Sequence, residues 1–465
     1  MLSGTNSKFS LTAGDAKFRK GLLRATSRTL RLICTSLCIL YALCGKCIPG
    51  FANERPQYVP IDTFRMPAEW EKHEAVWVGW ELFGPFNQPS LNVIRELLPY
   101  VPVRVVAESG FSAQVAKEYL HLQGIDSSKP AFFVMRDNRI WLRDHGATFL
   151  LNKKKELGFV DLHWSHYGIR DWLKWLSPDA PDIERNYRRV AKSTGSIDSL
   201  MGLSQSARRF ATEVSLEGGS LEVNGKGVLI LSEPVTLQRN PGKSKSFIEA
   251  ELKKLLGAEV VIWMKQGLAD DPHIIRPITA KYIGFGTGGH TDEFVRFVND
   301  STLLLAWVDE NEKDLNPINR MNHERMNENF RILNEARDQN GKPFQVIRVP
   351  LPDLIFKNVM VTHFQKNESD DAILSDWLSP QSGFKAGDTV HRVAAASYLN
   401  YFVTNGVVLV PTYKKFGSSP AKEEKVHKIL QEAFPGRRII FIDVMNLNYE
   451  GGGIHCITQQ QPARE

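Results

Sequence analysis

Leu221-Glu-Val-Asn-Gly-Lys-Gly-Val-Leu-Ile-Leu231 places Asn-Gly between two apolar runs. Asn-Gly favours the positive φ angles of a tight hairpin turn, and runs of Val, Leu and Ile are typical of strands. This stretch therefore predicts a β-hairpin. Similar stretches are Tyr401-Phe-Val-Thr-Asn-Gly-Val-Val-Leu-Val410, Phe294-Val-Arg-Phe-Val-Asn-Asp-Ser-Thr-Leu-Leu-Leu305 and, more weakly, Ala147 to Val160.

The four predicted turns recur at a nearly regular spacing. Their asparagines are separated by 72, 75 and 106 residues: Asn152, Asn224, Asn299 and Asn405. The longest interval holds the polar stretch 365–391, which we interpret as an insertion. A repeat of roughly 75 residues then fits about five times into the chain that follows the N-terminal segment 1–52. Equal hairpins at equal spacing favour repeated modules around a common axis over two unrelated domains.

Amphipathic helices are predicted between the hairpins. Pro420 to Phe434 has an apolar face and stops before Pro-Gly, and Met321 to Arg337 behaves in the same way. Ile439 to Val444 predicts a buried strand, whereas the charged, Ser-rich segment 183–209 is interpreted as a surface excursion. The predicted fold class is therefore α/β, with repeated ββαβ modules.

The N-terminus differs from the rest of the chain. Basic residues precede an apolar run from Leu32 to Cys44, and the small residues Gly50 and Ala52 follow. This order is typical of a secretory leader. We therefore expect residues 1–52 to be a cleaved signal peptide, and the protein to be secreted or extracytoplasmic. An uncleaved membrane anchor is the alternative, although the apolar run is shorter than the roughly 20 residues that span a bilayer.

Removing this leader changes the charge and the cysteine content. It holds eight of the 58 Lys and Arg residues but one of the 52 acidic residues, so the remainder, 53–465, is nearly neutral. Overall charge therefore does not support nucleic-acid binding. Four of the five cysteines also lie in the leader, which leaves Cys456 alone. A lone thiol in an exported protein is either buried and inert or retained for its reactivity.

Polar residues interrupt the pattern at a similar place in each module. Asp144, Glu217 and Asn400 lie eight, seven and five residues before their turn asparagines, and His290 and Asp292 lie nine and seven before theirs. We place them on the first strand of each hairpin, where His290 and Asp292 would share a face. Modules around an axis would bring these side chains together. Half of a metal site is an alternative interpretation of His290 and Asp292, but further ligands are scarce, and we predict no metal.

Cys456 follows three glycines in Tyr449-Glu-Gly-Gly-Gly-Ile-His-Cys456. On a strand its neighbour His455 would face the opposite side, so His290 is the better general base. Several buried carboxylates would raise the pKa of a thiol, and a cationic guanidinium substrate resolves this conflict. It accepts bidentate carboxylate contacts, and its charge stabilises a nearby thiolate. The indole of Trp141 suits the same planar cation.

Six motifs in order resemble one family, that of the agmatine deiminases and bacterial-type peptidylarginine deiminases. The resemblance runs from about Tyr58 to Pro462, and the motifs are Met66-Pro-Ala-Glu-Trp70, Trp141-Leu-Arg-Asp144, Leu216-Glu-Gly-Gly-Ser220, Gly289-His-Thr-Asp292, Ala395-Ala-Ser-Tyr-Leu-Asn400 and Gly451-Gly-Gly-Ile-His-Cys-Ile-Thr-Gln-Gln-Gln-Pro462. It implies a five-bladed α/β propeller with a pseudo-fivefold axis, and makes 53–465 a deiminase catalytic domain.

The resemblance also implies roles for individual residues. Asp144 and Asp292 would hold the guanidinium, Cys456 would attack its central carbon, and His290 would protonate the departing ammonia and later activate water. Glu217 would orient His290. The expected substrate-binding residues are Trp141 and Asn400. No metal or organic cofactor is implied.

The expected substrate is agmatine, a small cation, with N-carbamoylputrescine and ammonia as products. A secreted peptidylarginine deiminase that makes protein citrulline is the first alternative, and a propeller that binds guanidinium ligands without turnover is the second. His163-Trp-Ser-His-Tyr-Gly168 departs from the Asn-Ala-Trp-Gly-like sequence of relatives. Because this segment and the two excursions could shape the rim of the site, they bear on substrate choice more than on chemistry.

Overall fold

The computed structural model describes residues 64–82, 84–136, 140–178, 182–191, 196–363 and 373–464. The chain separates into two units, Met1–Val59 and Pro60–Glu465, and the first lies wholly outside the described residues. The leader predicted over 1–52 therefore stays a prediction. Within the described ranges, no helix is long and apolar enough to cross a membrane.

Strands are short and occur along the whole of the described chain. They are β1 Phe64–Arg65, β2 His73–Trp80, β3 Val103–Ala107, β4 Ala131–Val134, β5 Thr148–Asn152, β6 Leu157–Asp161, β7 Arg208–Ala211, β8 Leu221–Val223, β9 Val228–Ser232, β10 Val260–Met264, β11 His273–Thr279, β12 Tyr282–Thr287, β13 Val295–Phe297, β14 Thr302–Trp307, β15 Gln345–Pro350, β16 Phe356–Thr362, β17 Ile373–Leu374, β18 Thr389–Val393, β19 Phe402–Thr404, β20 Val407–Pro411, β21 Arg438–Ile442 and β22 Thr458–Pro462.

Helices alternate with these strands. The α-helices of the described residues are Asn87–Leu97, Gly110–Leu122, Leu142–His145, Ile169–Leu176, Ile183–Ala191, Ile197–Ser204, Glu233–Arg239, Lys245–Leu256, Pro317–Glu335, Pro420–Ala433 and Met445–Asn448. The two helices predicted near residues 321–337 and 420–434 are confirmed to within a few residues at either end. The fold is mixed α/β.

One structural unit recurs in the described chain: an antiparallel hairpin followed by a strand parallel to its second member. It is formed by β5-β6-β7, β8-β9-β10, β13-β14-β15 and β19-β20-β21. All four predicted hairpins are thus confirmed. One or more helices between the second and third strands make the crossover that a parallel pair requires.

A fifth unit is built from the two ends of the described chain. β22 pairs antiparallel with β2, with Val76 opposite Gln460, and β2 pairs parallel with β3. The order is the same as in the other units, but no turn joins the first two strands. The sequence therefore contains no turn motif, such as Asn-Gly, from which this unit could be predicted.

The structure changes the interpretation of the two segments that were predicted to be excursions, 365–391 and 183–209. β18 joins the sheet β11-β12-β18-β16-β17, so the end of the stretch 365–391 is a strand, while 364–372 lie outside the described residues. The interpretation of 183–209 as a surface excursion was wrong for its second half, because the helix Ile197–Ser204 buries Ile197 and Met201 in the core. Arg208 and Arg209 belong to β7, which pairs with β6, because the crossover strand of this unit starts there.

The crossover helices pack against the strands of their units, as the helix of the second unit illustrates. The helix Lys245–Leu256 starts at Ser244, whose hydroxyl accepts the Phe247 N–H at 3.1 Å, and ends at Gly257 with φ of 67°. Its apolar residues at spacings of three and four are buried against the hairpin: Ile248, Leu252, Leu255 and Leu256 with Leu229 and Leu231. Burying each such side chain stabilises the fold by about 1.5–3 kcal/mol.

Candidate active site

The predicted polar residues occupy turns just before the first strand of each unit, not the strands themselves. Asp144 lies in the helix Leu142–His145, and Glu217 precedes a 3₁₀ turn, Gly218–Ser220. Asp292 lies in another 3₁₀ turn, Thr291–Glu293, and His290 directly precedes it, so the same-face argument from strand periodicity was wrong for them. The tight turns have a physical advantage, since their free N–H groups can bond to buried carboxylates.

Three of these side chains meet around Gly219. A Cβ atom added to this glycine would lie 2.7 Å from Asp144 Oδ1, 2.7 Å from His290 Nδ1 and 2.9 Å from Asp292 Oδ2. Asp144, Gly219 and the pair His290 and Asp292 precede the first strands of three different units, so units that are remote in sequence supply one site. Glycine is required here because any side chain would fill the space between the carboxylates.

Cys456 lies at the same centre. Its side chain is 2% exposed and makes no disulfide with any described residue. The Sγ atom lies 3.9 Å from Asp292 Oδ2 and 3.4 Å from the amide nitrogen of Asn400. Burial, followed by the negative charges of Asp292 and Asp144, raises the pKa of the Cys456 thiol well above its usual range. The thiol is therefore protonated until a cation compensates the carboxylates.

His290 is fully buried and faces two carboxylates. Its Nε2 lies 3.3 Å from Glu217 Oε2 and its Nδ1 lies 3.6 Å from Asp144 Oδ1. Burial lowers the pKa of His290, but the charge of Asp144 and the contact with Glu217 outweigh it and raise the pKa to about 9. His290 is then an imidazolium at neutral pH and can donate a proton.

A buried arginine holds Glu217 in the ionised state. Arg239 Nε lies 3.0 Å from Oε1 and 3.1 Å from Oε2 of this carboxylate, and Arg239 also donates to the Thr287 carbonyl at 2.6 Å. Burial opposes ionisation, but the charge of Arg239 and the contact with His290 lower the pKa of Glu217 to about 2. Glu217 is therefore an orienting anion for His290 and not a proton donor.

Asp271 fixes the backbone on which His290 is carried. Its Oδ2 accepts the N–H groups of Gly289 at 3.0 Å and His290 at 3.1 Å, and the hydroxyl of Thr287 at 2.8 Å. A buried carboxylate that accepts several N–H groups is a rigid anchor. The position of the imidazole therefore depends on Asp271, which sequence reasoning missed.

Asp144 is bonded on both oxygens. Gly219 donates its N–H to Oδ1 at 3.2 Å, and the hydroxyl of Tyr167 donates to Oδ2 at 2.8 Å. Burial raises the pKa of Asp144 and His290 lowers it, and together with the charge of Asp292 the result is a pKa of about 7. Asp144 therefore titrates in the neutral range.

Asp292 is held by His455. The His455 Nδ1 lies 2.7 Å from Asp292 Oδ2, and its Nε2 lies 2.7 Å from Glu69 Oε2. Burial, and next the charges of Arg143 and Arg296, lower the pKa of His455. Burial opposes ionisation of Asp292, but the hydrogen bond from His455 outweighs it and lowers the pKa of Asp292. The ring of His455 thus bonds to two carboxylates and supports the position of Asp292. The prediction that His455 and Cys456 lie on a strand was wrong, because the strand begins only at Thr458.

Asn400 joins the thiol to a third carboxylate. Its amide nitrogen lies 2.9 Å from Glu293 Oε1, and its carbonyl oxygen accepts the His455 N–H at 3.0 Å. Within the described residues, Asp292, Glu293 and Cys456 are close enough to share a metal ion. Burial raises the pKa of Glu293 well above its usual range, and the charge of Asp292 adds to this effect. A protonated Glu293 is a poor metal ligand.

Trp141 lines an opening beside this centre. An open cavity of about 310 Å³ is bounded by Trp80, Glu81, Phe86, Glu108, Ile140, Trp141 and Tyr167. Trp141 is half-buried, and a Cβ atom on Gly452 would lie 2.5 Å from its ring. The glycine run before Cys456 therefore leaves room for this indole.

Two buried atoms at the centre have no hydrogen-bond partner among the described residues, His290 Nδ1 and Asp292 Oδ1. Unpaired buried polar atoms cost free energy, and at a reaction centre they indicate groups that a ligand satisfies. A ligand that donates N–H to carboxylates and accepts a proton from an imidazolium matches both atoms.

Comparisons with known proteins agree with this chemistry. The family model described as Porphyromonas-type peptidyl-arginine deiminase matches residues 65–462. Agmatine deiminase of Pseudomonas aeruginosa (strain LESB58) is 28% identical, over 86% of this chain and 96% of its own length. Agmatine deiminase of Pseudomonas fluorescens is 29% identical, over 86% and 96%.

Solved structures show the same fold. Agmatine deiminase of Enterococcus faecalis superposes with a TM-score of 0.67 at 24% identity, covering 89% of this chain and 100% of that one. Agmatine deiminase of C. jejuni gives 0.56 at 18% identity, covering 86% and 96%.

The matches define a deiminase, an enzyme that acts on C–N bonds other than peptide bonds. Within this class, the chain belongs to the family of Porphyromonas-type peptidyl-arginine deiminases, which is also that of the agmatine deiminases.

Replacing Gly219 by alanine is expected to lower deiminase activity by about a hundredfold without unfolding the protein. The added methyl would lie 2.7 Å from Asp144 Oδ1 and His290 Nδ1, and displacements of about 1 Å cost catalysis about this much. Gly110→Ala is the matched control, since its added methyl would meet no atom of the described residues within 4 Å. Ammonia release and circular dichroism measure the two effects, and a fully active Gly219→Ala variant would contradict the geometry.

Proposed function

We propose that the protein hydrolyses agmatine to N-carbamoylputrescine and ammonia through a covalent intermediate on Cys456. The observation that carries this proposal is the convergence of Asp144, Asp292 and His290 around Gly219, with the thiol 3.9 Å from Asp292. The N–H groups of a guanidinium point outward along its edges, and two carboxylates can each accept N–H groups from one edge. The orphaned Oδ1 of Asp292 is the acceptor that such a cation would satisfy.

In the first half of the reaction, the bound cation makes the thiol reactive. It compensates Asp144 and Asp292, whose charges otherwise raise the pKa of Cys456. The thiol then releases its proton to water, and the resulting thiolate adds to the central guanidinium carbon. His290 gives its proton to one NH₂ group, the C–N bond breaks and ammonia leaves, which produces an S-alkylthiouronium on Cys456.

In the second half, the now neutral His290 takes a proton from water. The hydroxide adds to the same carbon, the C–S bond breaks, and the thiolate leaves with the electron pair and takes up the hydroxyl proton of the product, which restores the thiol. The product is the ureido compound, and His290 is again protonated. Glu217, 3.3 Å from Nε2, keeps the imidazole in place through both steps.

The acidic lining of the cavity supports agmatine over free arginine. Glu81 and Glu108 line it together with Trp141. Burial raises the pKa of Glu81, and the charges of Glu108 and Glu450 add to this. Clustered carboxylates attract the ammonium of a dication and repel the carboxylate of free arginine. A peptide with arginine remains the second substrate to test, because export would give access to extracellular proteins.

Two further expectations are part of the proposal. Convergence of residues from separate units at one centre supports an arrangement of the five units about a common axis, as in a five-bladed propeller. The leader, 1–52, would direct the protein out of the cytoplasm. N-terminal sequencing of the exported protein is expected to find a start near Ala52, and a start at Met1 would contradict cleavage.

The substrate and the nucleophile are tested together. We expect ammonia release from agmatine to exceed release from free arginine and from peptides with internal arginine, and Cys456→Ala to abolish it. Intact-protein mass spectrometry during turnover should show the thiouronium adduct in the wild type alone. Activity that survives in Cys456→Ala would overturn the mechanism, and a peptide preference would favour the alternative substrate.

The pH dependence follows from two groups. Asp144, with a pKa of about 7, must be ionised to hold the cation, so kcat/KM should rise with pH through this value. His290, with a pKa of about 9, must be protonated to release ammonia, so kcat/KM should fall above it. Measured over the full range, Asp144→Asn should lose the acidic limb and His290→Asn the basic limb. Limbs unchanged in these variants would refute the assignment.

A further inference from the structure

Tyr167 contacts the centre from a segment that the reaction described above does not use. Its hydroxyl donates to Asp144 Oδ2 at 2.8 Å, and its ring centroid lies 6.2 Å from that of His290. The residue is half-buried and lines the same cavity as Trp141. It therefore lies where a substrate would pass on its way to Asp144.

The backbone around Tyr167 is held in an uncommon conformation. His166, Tyr167 and Gly168 are consecutive left-handed residues, with φ of 55°, 58° and 65°. Residues other than glycine are strained in this conformation, and such strain persists where the surroundings enforce it.

Hydrogen bonds from two other elements enforce this conformation. His273 Nε2 donates to the Tyr167 carbonyl at 2.5 Å, and Gln238 donates to the Gly168 carbonyl at 3.1 Å. Burial, and next the charge of Arg239, lower the pKa of His273 to about 4, so its ring is neutral. The segment is thus built to direct one hydroxyl at one carboxylate.

We propose that Tyr167 is a substrate-positioning residue, whose hydroxyl fixes the orientation and the ionised state of the Asp144 carboxylate that receives the guanidinium. This inference rests on the proposed deimination reaction. A carboxylate with both oxygens tethered, by Tyr167 and by Gly219, presents its remaining lone pairs in one direction.

The charges that face Asp144 determine how removal of the hydroxyl would act. His290 favours its ionised form, whereas Asp292 and Glu217 disfavour it, and Tyr167 favours it by donating a hydrogen bond. Tyr167 itself stays protonated, since burial and the charge of Asp144 raise its pKa well above the usual range. Loss of the hydroxyl therefore raises the pKa of Asp144, and the acidic limb moves to higher pH.

The test is Tyr167→Phe, which keeps the ring and removes the hydroxyl. We expect kcat/KM for agmatine to fall about ten- to a hundredfold, as for loss of a hydrogen bond to a charged group, with most of the loss in KM. The acidic limb should also shift upward. The control is Tyr187→Phe on the helix Ile183–Ala191. The ring of Tyr187 lies against Arg170 and His166, and this variant is expected to leave kcat/KM and the acidic limb unchanged.

A binding measurement tests the role of Tyr167 independently of the chemical steps. In the Cys456→Ala background, calorimetry should show weaker agmatine binding after Tyr167→Phe, whether or not turnover occurs. Unchanged affinity and an unshifted acidic limb in an active Tyr167→Phe enzyme would overturn the role of Tyr167 alone. A wild type that neither binds nor deiminates guanidinium compounds would overturn the proposed function and this inference with it.

Discussion

The carboxylate of Glu69 lies beneath the site and joins parts of the chain that are far apart in sequence. Its Oε2 lies 2.7 Å from Arg296 and 2.7 Å from His455, and its Oε1 accepts the Val403 N–H at 2.8 Å. Arg296 in turn bonds to Glu222 at 3.0 Å. Since each of these charges is buried, removing one member leaves the others uncompensated. The relative positions of Asp292 and Cys456 therefore depend on this network.

Next to this network, the site brings together acidic groups that repel one another, among them Asp144, Asp292 and Glu293. Burial and mutual repulsion raise the pKa of Asp144 to about 7 and that of Glu293 well above its usual range. The same field keeps the thiol protonated. A neutral ligand would not relieve this repulsion, whereas a cation would. In the proposed reaction, selectivity for a cation and activation of the thiol would therefore have one electrostatic origin.

Local signals in the sequence were sufficient for the hairpins, and three of the polar residues that they singled out, Asp144, His290 and Asp292, lie together around Gly219. Asn-Gly turns fix their own geometry, so the hairpin at Asn224 could be predicted from a few residues. The pairing of β2 with β22 could not, because it has no turn and depends on the whole topology. Tyr167 and Asp271 were missed for the same reason, since only the fold brings them to Asp144 and His290. The placement of His290 on a strand was wrong because two-residue spacing does not distinguish a strand from a 3₁₀ turn.

The pairing of β2 with β22 has a consequence for biosynthesis. The strand that follows Cys456 must find its partner at His73–Trp80, across nearly the whole described chain. Contacts of such long sequence separation form late, because closing the loop between them costs entropy before the contact is made. During translation the other four units are complete before the thiol's own unit can close. A nascent chain thus carries Asp144, Glu217 and Asp292 before Cys456 is made, and the thiol joins these carboxylates only when the last strand has paired.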